Sequence, residues 1–100
     1  MEVVVENERY NPLLKRREIH ARILYWGEGP TPTRQAVREK FAGLFNAELE
    51  RIVVDYIKPE FGKQEAKCYV KIYDTPEDLR DIEDEHIIRR NFRSERGEDE

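Results

Sequence analysis

The chain has one cysteine among its 100 residues, a single serine and two histidines. Each scarcity removes a class of chemistry. A lone thiol, Cys68, makes no internal disulfide. Its alternating neighbours put it on the apolar side of a strand, where it reads as a small core residue rather than a nucleophile. The serine, Ser94, stands in a polar C-terminal stretch and is a poor nucleophile. His20 and His86 are at no metal-ligand spacing with Cys68 or with each other. Gly27 and Gly29 are followed by Pro30, not by the Lys-Ser/Thr helix start of a phosphate cradle. No apolar run approaches the ~20 residues that span a bilayer. The N-terminal MEVVVENERY lacks the positive start and long apolar run of a secretion signal. These absences predict a cytoplasmic protein, not an enzyme, with no metal, no cofactor and no membrane partner.

Charge is what the chain has in excess. Charged residues make up 40% of it, against an average of about 25%. The apolar residues are nonetheless periodic, so the reading is a folded domain with a highly charged surface. A net charge of −4 argues against a plain polycation, but local patches choose a partner more than net charge does. Lys15, Arg16 and Arg17 form one basic knot. Lys58, Lys63, Lys67 and Lys71 form a second, and Arg89, Arg90 and Arg93 a third. The acids gather in residues 77–85, where they read as a solvated face.

The segment 65–74 alternates strictly. Ala66, Cys68, Val70 and Ile72 share one face, and Lys67, Tyr69, Lys71 and Tyr73 the other, as in a half-buried strand. The turn Phe61-Gly62-Lys63-Gln64 joins it to a strand at 52–57, making a hairpin with a basic loop. Val3, Val4 and Val5 mark a strand at 2–8 that Asn11-Pro12 breaks. Leu13 and Leu14 are expected to anchor the following loop while the three cations project. A second strand, 18–26, sets Ile19, Ala21, Ile23 and Tyr25 on one face.

Thr31-Pro32-Thr33 opens a helix. Val37, Phe41, Leu44 and Phe45 form its apolar stripe, Arg34, Arg38 and Glu39 lie off it, and Asn46 is suited to close it. Thr75-Pro76 starts a further helical stretch with buried contacts at Leu79, Ile82 and Ile87 and a break near Glu83-Asp84. Residues 1–92 therefore predict a single α+β domain. Its order is β-β-α-β-β-α, with a four-stranded, mainly antiparallel sheet and packed helices, close to the plait architectures. Residues 93–100 predict a disordered acidic tail.

Binding is the chemistry these residues favour. Lys15, Arg16 and Arg17 are expected to be a principal phosphate contact, and Lys58, Lys63 and Lys67 around the hairpin turn a second one. Tyr69 and Tyr73 suit stacking on bases beside them. An acylphosphatase-like enzyme needs an anion loop with a fixed arginine, and no such loop stands out. An adaptor would use the acidic helix to hold a protein partner.

Four segments, in order, add a resemblance. NPLLKRRE (11–18), TPTRQAVREKFAGLFNA (31–47), IKPEFGKQEAKCYVKIYD (57–74) and IIRRN (87–91) are similar to segments of the small-subunit ribosomal protein family S24e of archaea and eukaryotes. The chain departs from that family's pattern at Pro59 and Cys68, and its acidic tail is unlike the basic extensions of eukaryotic members, which points to an archaeal type. The resemblance implies a structural ribosomal protein without catalysis. Its partners would be small-subunit ribosomal RNA and neighbouring ribosomal proteins, and it would be a monomer when isolated. Taken with the basic groups, it makes Lys15, Arg16, Arg17, Lys58, Lys63, Lys67, Arg89 and Arg90 the expected RNA contacts.

Overall fold

The computed structural model describes residues 1–60 and 62–92. Phe61 of the hairpin turn and the tail expected at 93–100 lie outside the described residues. The order of elements is β1 (Glu2–Asn11), β2 (Arg16–Leu24), α1 (Arg34–Phe45), a 3₁₀ turn (Leu49–Arg51), β3 (Ile52–Pro59), β4 (Glu65–Tyr73), α2 (Pro76–Ile82) and α3 (Glu85–Phe92). The strands form one sheet in the order β1-β2-β4-β3, with antiparallel neighbours throughout. The expected α+β architecture is present. The break anticipated near Glu83 is real, because Glu83 takes an extended conformation between α2 and α3.

Local chemistry sets these boundaries. Thr33 caps α1 by accepting the Ala36 N–H, and Asn46 ends it in the left-handed region at φ 53°. Thr75 caps α2 in the same way, through the Asp78 N–H, with Pro76 in the first turn. Gly62 holds φ +80° in the hairpin turn, a conformation glycine adopts without steric cost.

One sheet face carries the main core. Ile19, Ala21, Ile23 and Tyr25 meet Ala66, Cys68, Val70 and Ile72, and Val37 and Phe41 of α1 pack down on them. Leu44 is a correction to the expected stripe, being 53% exposed. At about 100° per residue, Arg38 lies to one side of Val37 and Leu44 just to the other. The buried arc of α1 is rotated toward Arg38, which is wholly buried although it was placed off the stripe. Its guanidinium donates to the carbonyls of Leu49, Ile52 and Asn91 and lies over the Phe92 ring. Hydrogen bonding to backbone carbonyls satisfies the donors that burial would otherwise strand.

Arg34 donates to the carbonyls of Val54 and Asp55, and the Asn91 side chain both donates to and accepts from Val54. Side chains thus occupy backbone groups of β3, an outer strand whose edge would otherwise be open for pairing.

The other face is divided. α2 and α3 cover the end near Tyr73, where Val53, Tyr73, Leu79 and Ile87 form a second small core. Tyr73 and Lys71, read from sequence as a solvated row, are buried there. The remainder of this face carries no helix among the described residues.

Candidate nucleic-acid interface

Two basic groups lie at opposite ends of β4. The first is the β1–β2 turn. Asn11 Oδ1 accepts the N–H groups of Leu13 and Leu14, and Lys15 closes the turn with φ 54°. The Lys15 carbonyl accepts the Asp74 N–H, tying the turn to the end of β4. Leu13 does not anchor the turn, since it is 89% exposed. Arg16 and Arg17 belong to β2, not to the loop.

Arg16 turns inward. It pairs with the buried Glu18 at 2.8 Å and donates to the Tyr73 hydroxyl at 2.8 Å. Glu18 also accepts from Arg9 and Asn11. Burial pushes the Glu18 carboxyl up, but the hydrogen bonds from Arg16, Arg9 and Asn11 together outweigh it and hold the group below the usual carboxylate range. The Tyr73 hydroxyl donates to Glu83, and Lys71 pairs with Glu83 at 2.7 Å and with Asp55 at 3.1 Å. One polar network therefore runs from β1 to β3 by way of Glu83, at the end of α2. Burial, with Glu83 adding to it against Arg16, pushes the Tyr73 phenol well above its ordinary value.

The second group surrounds the β3–β4 hairpin. Lys58 and Lys67 are direct cross-strand neighbours, and Lys63 sits at the turn. All three are exposed. Among the described residues, none of the three makes an ion pair. Like charges set directly opposite each other weaken a ladder, and this pair has no ion-pair partner among the described residues. Gln64 braces the hairpin by accepting the Gly27 N–H and donating to the Gly29 carbonyl.

Between the groups, on the uncovered part of the face, three rings from three strands stand together. His20 of β2 stacks on Tyr69 of β4, with centroids 4.4 Å apart and planes 13° apart. Tyr56 of β3 follows at 6.0 Å from Tyr69, tilted by 46°. Lys58 Nζ lies 5.0 Å from the Tyr56 centroid.

The predicted contacts therefore fall in three places. Lys15 is exposed and without an ion pair among the described residues, Arg17 pairs loosely with Glu8 at 3.3 Å, and Arg16 is engaged within the fold. Lys58, Lys63 and Lys67 lie together, about 20 Å along β4 from Tyr73 at about 3.4 Å per residue. Arg89 and Arg90 are exposed on α3, with Arg89 only 4.0 Å from Glu85. Tyr73 is fully buried and cannot stack on a base, which corrects that part of the reading. Sequence reasoning missed Tyr56 and His20. The alternation of β2 put His20 opposite the core face, and only the strand order β2-β4-β3 brings it to Tyr69 and Tyr56.

Cys68 is buried, and that burial pushes its thiol up to about 12. No group of three or more His, Cys, Asp or Glu side chains among the described residues is placed to hold a metal ion. No described helix is long and apolar enough to cross a membrane.

Comparison with known proteins finds matches along nearly the whole chain. The family model for ribosomal protein S24e matches residues 1–92. The small ribosomal subunit protein eS24 of Archaeoglobus fulgidus is 65% identical over 99 residues, covering 99% of this chain and 88% of that protein. The eS24 proteins of Methanocaldococcus jannaschii and Methanothrix thermoacetophila are 45% identical over 91 residues and 40% identical over 98 residues. They cover 91% and 98% of this chain, and 88% and 98% of their own lengths. A match of this extent, over the same segments that build the sheet, the caps and the basic hairpin, shows that the chain belongs to the ribosomal protein S24e family.

Proposed function

We propose that this chain is a structural constituent of the small ribosomal subunit in the cytoplasm. It binds ribosomal RNA through phosphates, lies beside neighbouring ribosomal proteins, catalyses nothing, and is monomeric when isolated. Lys58, Lys63 and Lys67 form the principal contact. Lys15 and Arg17 form a second, and Arg89 and Arg90 a third. Arg16 belongs to the same stretch but serves by holding the turn in shape.

The observation that carries this reading is the pairing of Lys58 with Lys67 across the ladder, both exposed and without an acid partner among the described residues. A phosphate between them relieves the repulsion and releases counterions. Arg9 and Arg16 are, by contrast, matched to Glu18 and Arg22 to Glu6, while Arg17 pairs only loosely with Glu8.

The test is to titrate the purified chain with small-subunit RNA at several salt concentrations. Log affinity should fall linearly with log salt, with a slope of roughly 2–4 for three to five phosphate contacts. The tagged chain should also sediment with small subunits from its own cells. Salt-insensitive binding to a protein component, with no affinity for the RNA, would overturn the proposal in favour of an adaptor.

A further inference from the structure

We infer that the His20–Tyr69–Tyr56 row is a stacking platform for an unpaired RNA base, which continues the stack on the outer face of His20. The inference rests on the RNA-binding reading above and assigns a nucleotide site to a surface which that reading leaves unused.

Three observations converge. His20 and Tyr69 already form a nearly parallel two-ring stack, so the geometry a base requires exists before it arrives. His20 is exposed, and among the described residues its only ring contact is with Tyr69; its second face looks over β1, where its direct cross-strand partner is the exposed Asn7. The face is also flanked by cations. Lys67 lies two residues from Tyr69 on the same side of β4, opposite Lys58 on one neighbouring strand and Arg22 on the other. Lys67 has no ion pair among the described residues, whereas Arg22 is matched to Glu6. A single strand running from His20 across the row toward the hairpin would meet Lys67.

Charge complementarity identifies the occupant as nucleic acid, and the ring stack selects an unpaired nucleotide over a duplex. A duplex presents phosphates and closed stacks, and offers no free base face. Cross-strand ring pairs also stabilise sheets. The readout must therefore be one that a purely structural role leaves unmoved.

The experiment uses the full chain with a short single-stranded RNA carrying 2-aminopurine at its centre, and with the same strand annealed to its complement. Binding to the single strand should change the 2-aminopurine fluorescence as the base stacks, and the duplex should give no such change. His20→Ala should weaken single-strand binding by roughly 5- to 150-fold, the worth of one stacked base, with the salt slope unaltered. His20→Phe should restore it. Because His20 is exposed, both variants should remain folded, with His20→Ala lowering the thermal midpoint by no more than a few degrees for the lost cross-strand ring pair. Binding of the single strand by His20→Ala equal to that of the parent overturns the inference, as does failure of the parent to prefer the single strand. Either result leaves the RNA-binding proposal standing if small-subunit RNA is still bound with a steep salt slope. Loss of that slope in the parent defeats the broader reading instead.

Discussion

The two ends of the sheet face opposite α1 both carry basic residues and use them differently. At the β1–β2 turn, Arg16 is consumed by Glu18 and Tyr73 and Arg9 by Glu18, and the adjoining Lys71 is held by Glu83 and Asp55. At the β3–β4 hairpin, Lys58, Lys63 and Lys67 face water without an acid partner among the described residues. A run of cations in a sequence therefore has no fixed meaning. What remains available to a phosphate is what the fold has not already matched.

The largest expected difference between the ends is in stability. Arg16 is 14% exposed in its side chain and Glu18 9%. Arg16→Ala leaves a buried carboxylate with weaker partners and should cost about 3 kcal/mol, read as a lower denaturant midpoint at unchanged slope. Lys58→Ala and Lys67→Ala should stay within about 0.5 kcal/mol of the parent. Equal losses at the two ends would erase the distinction.

A second effect is acid sensitivity. The Glu18 carboxyl is held below its ordinary value near 4.5 in the folded chain. Its contribution is complete above that value and is lost as pH falls through the lower folded one. Glu18→Gln should reduce the acid-induced loss of stability below about pH 4.5. Identical pH profiles for parent and variant would contradict the network's role.

The third is a thiol readout. With Cys68 buried and its thiol pushed up to about 12, alkylation at neutral pH requires opening of the sheet. Arg16→Ala should speed it clearly, while the Lys58→Ala/Lys67→Ala double variant should leave it nearly unchanged.

Much of this could be read from the chain, and the reasons for the failures are physical. The α1 caps at Thr33 and Asn46, the break at Glu83 and the core alternation of β2 and β4 are local, so neighbouring residues determine them. The burial of Arg38 is not local. Its carbonyl partners at Leu49, Ile52 and Asn91 come from three later segments, and nothing in the helical period announces them. Tyr73 and Lys71 alternate as a solvated row would, but α2 and α3 fold back over them. The ring row was half visible in Tyr69 and needed the strand order to supply His20 and Tyr56.

The most direct test of the difference between the two ends is a pair of salt titrations on the same small-subunit RNA. One uses Lys58→Ala/Lys67→Ala and the other Lys15→Ala/Arg17→Ala, each shown to be folded. The hairpin pair should flatten the log affinity against log salt slope by roughly one to two units, and the turn pair by less. A slope unchanged by the hairpin pair, with flattening confined to the turn pair, would contradict the account.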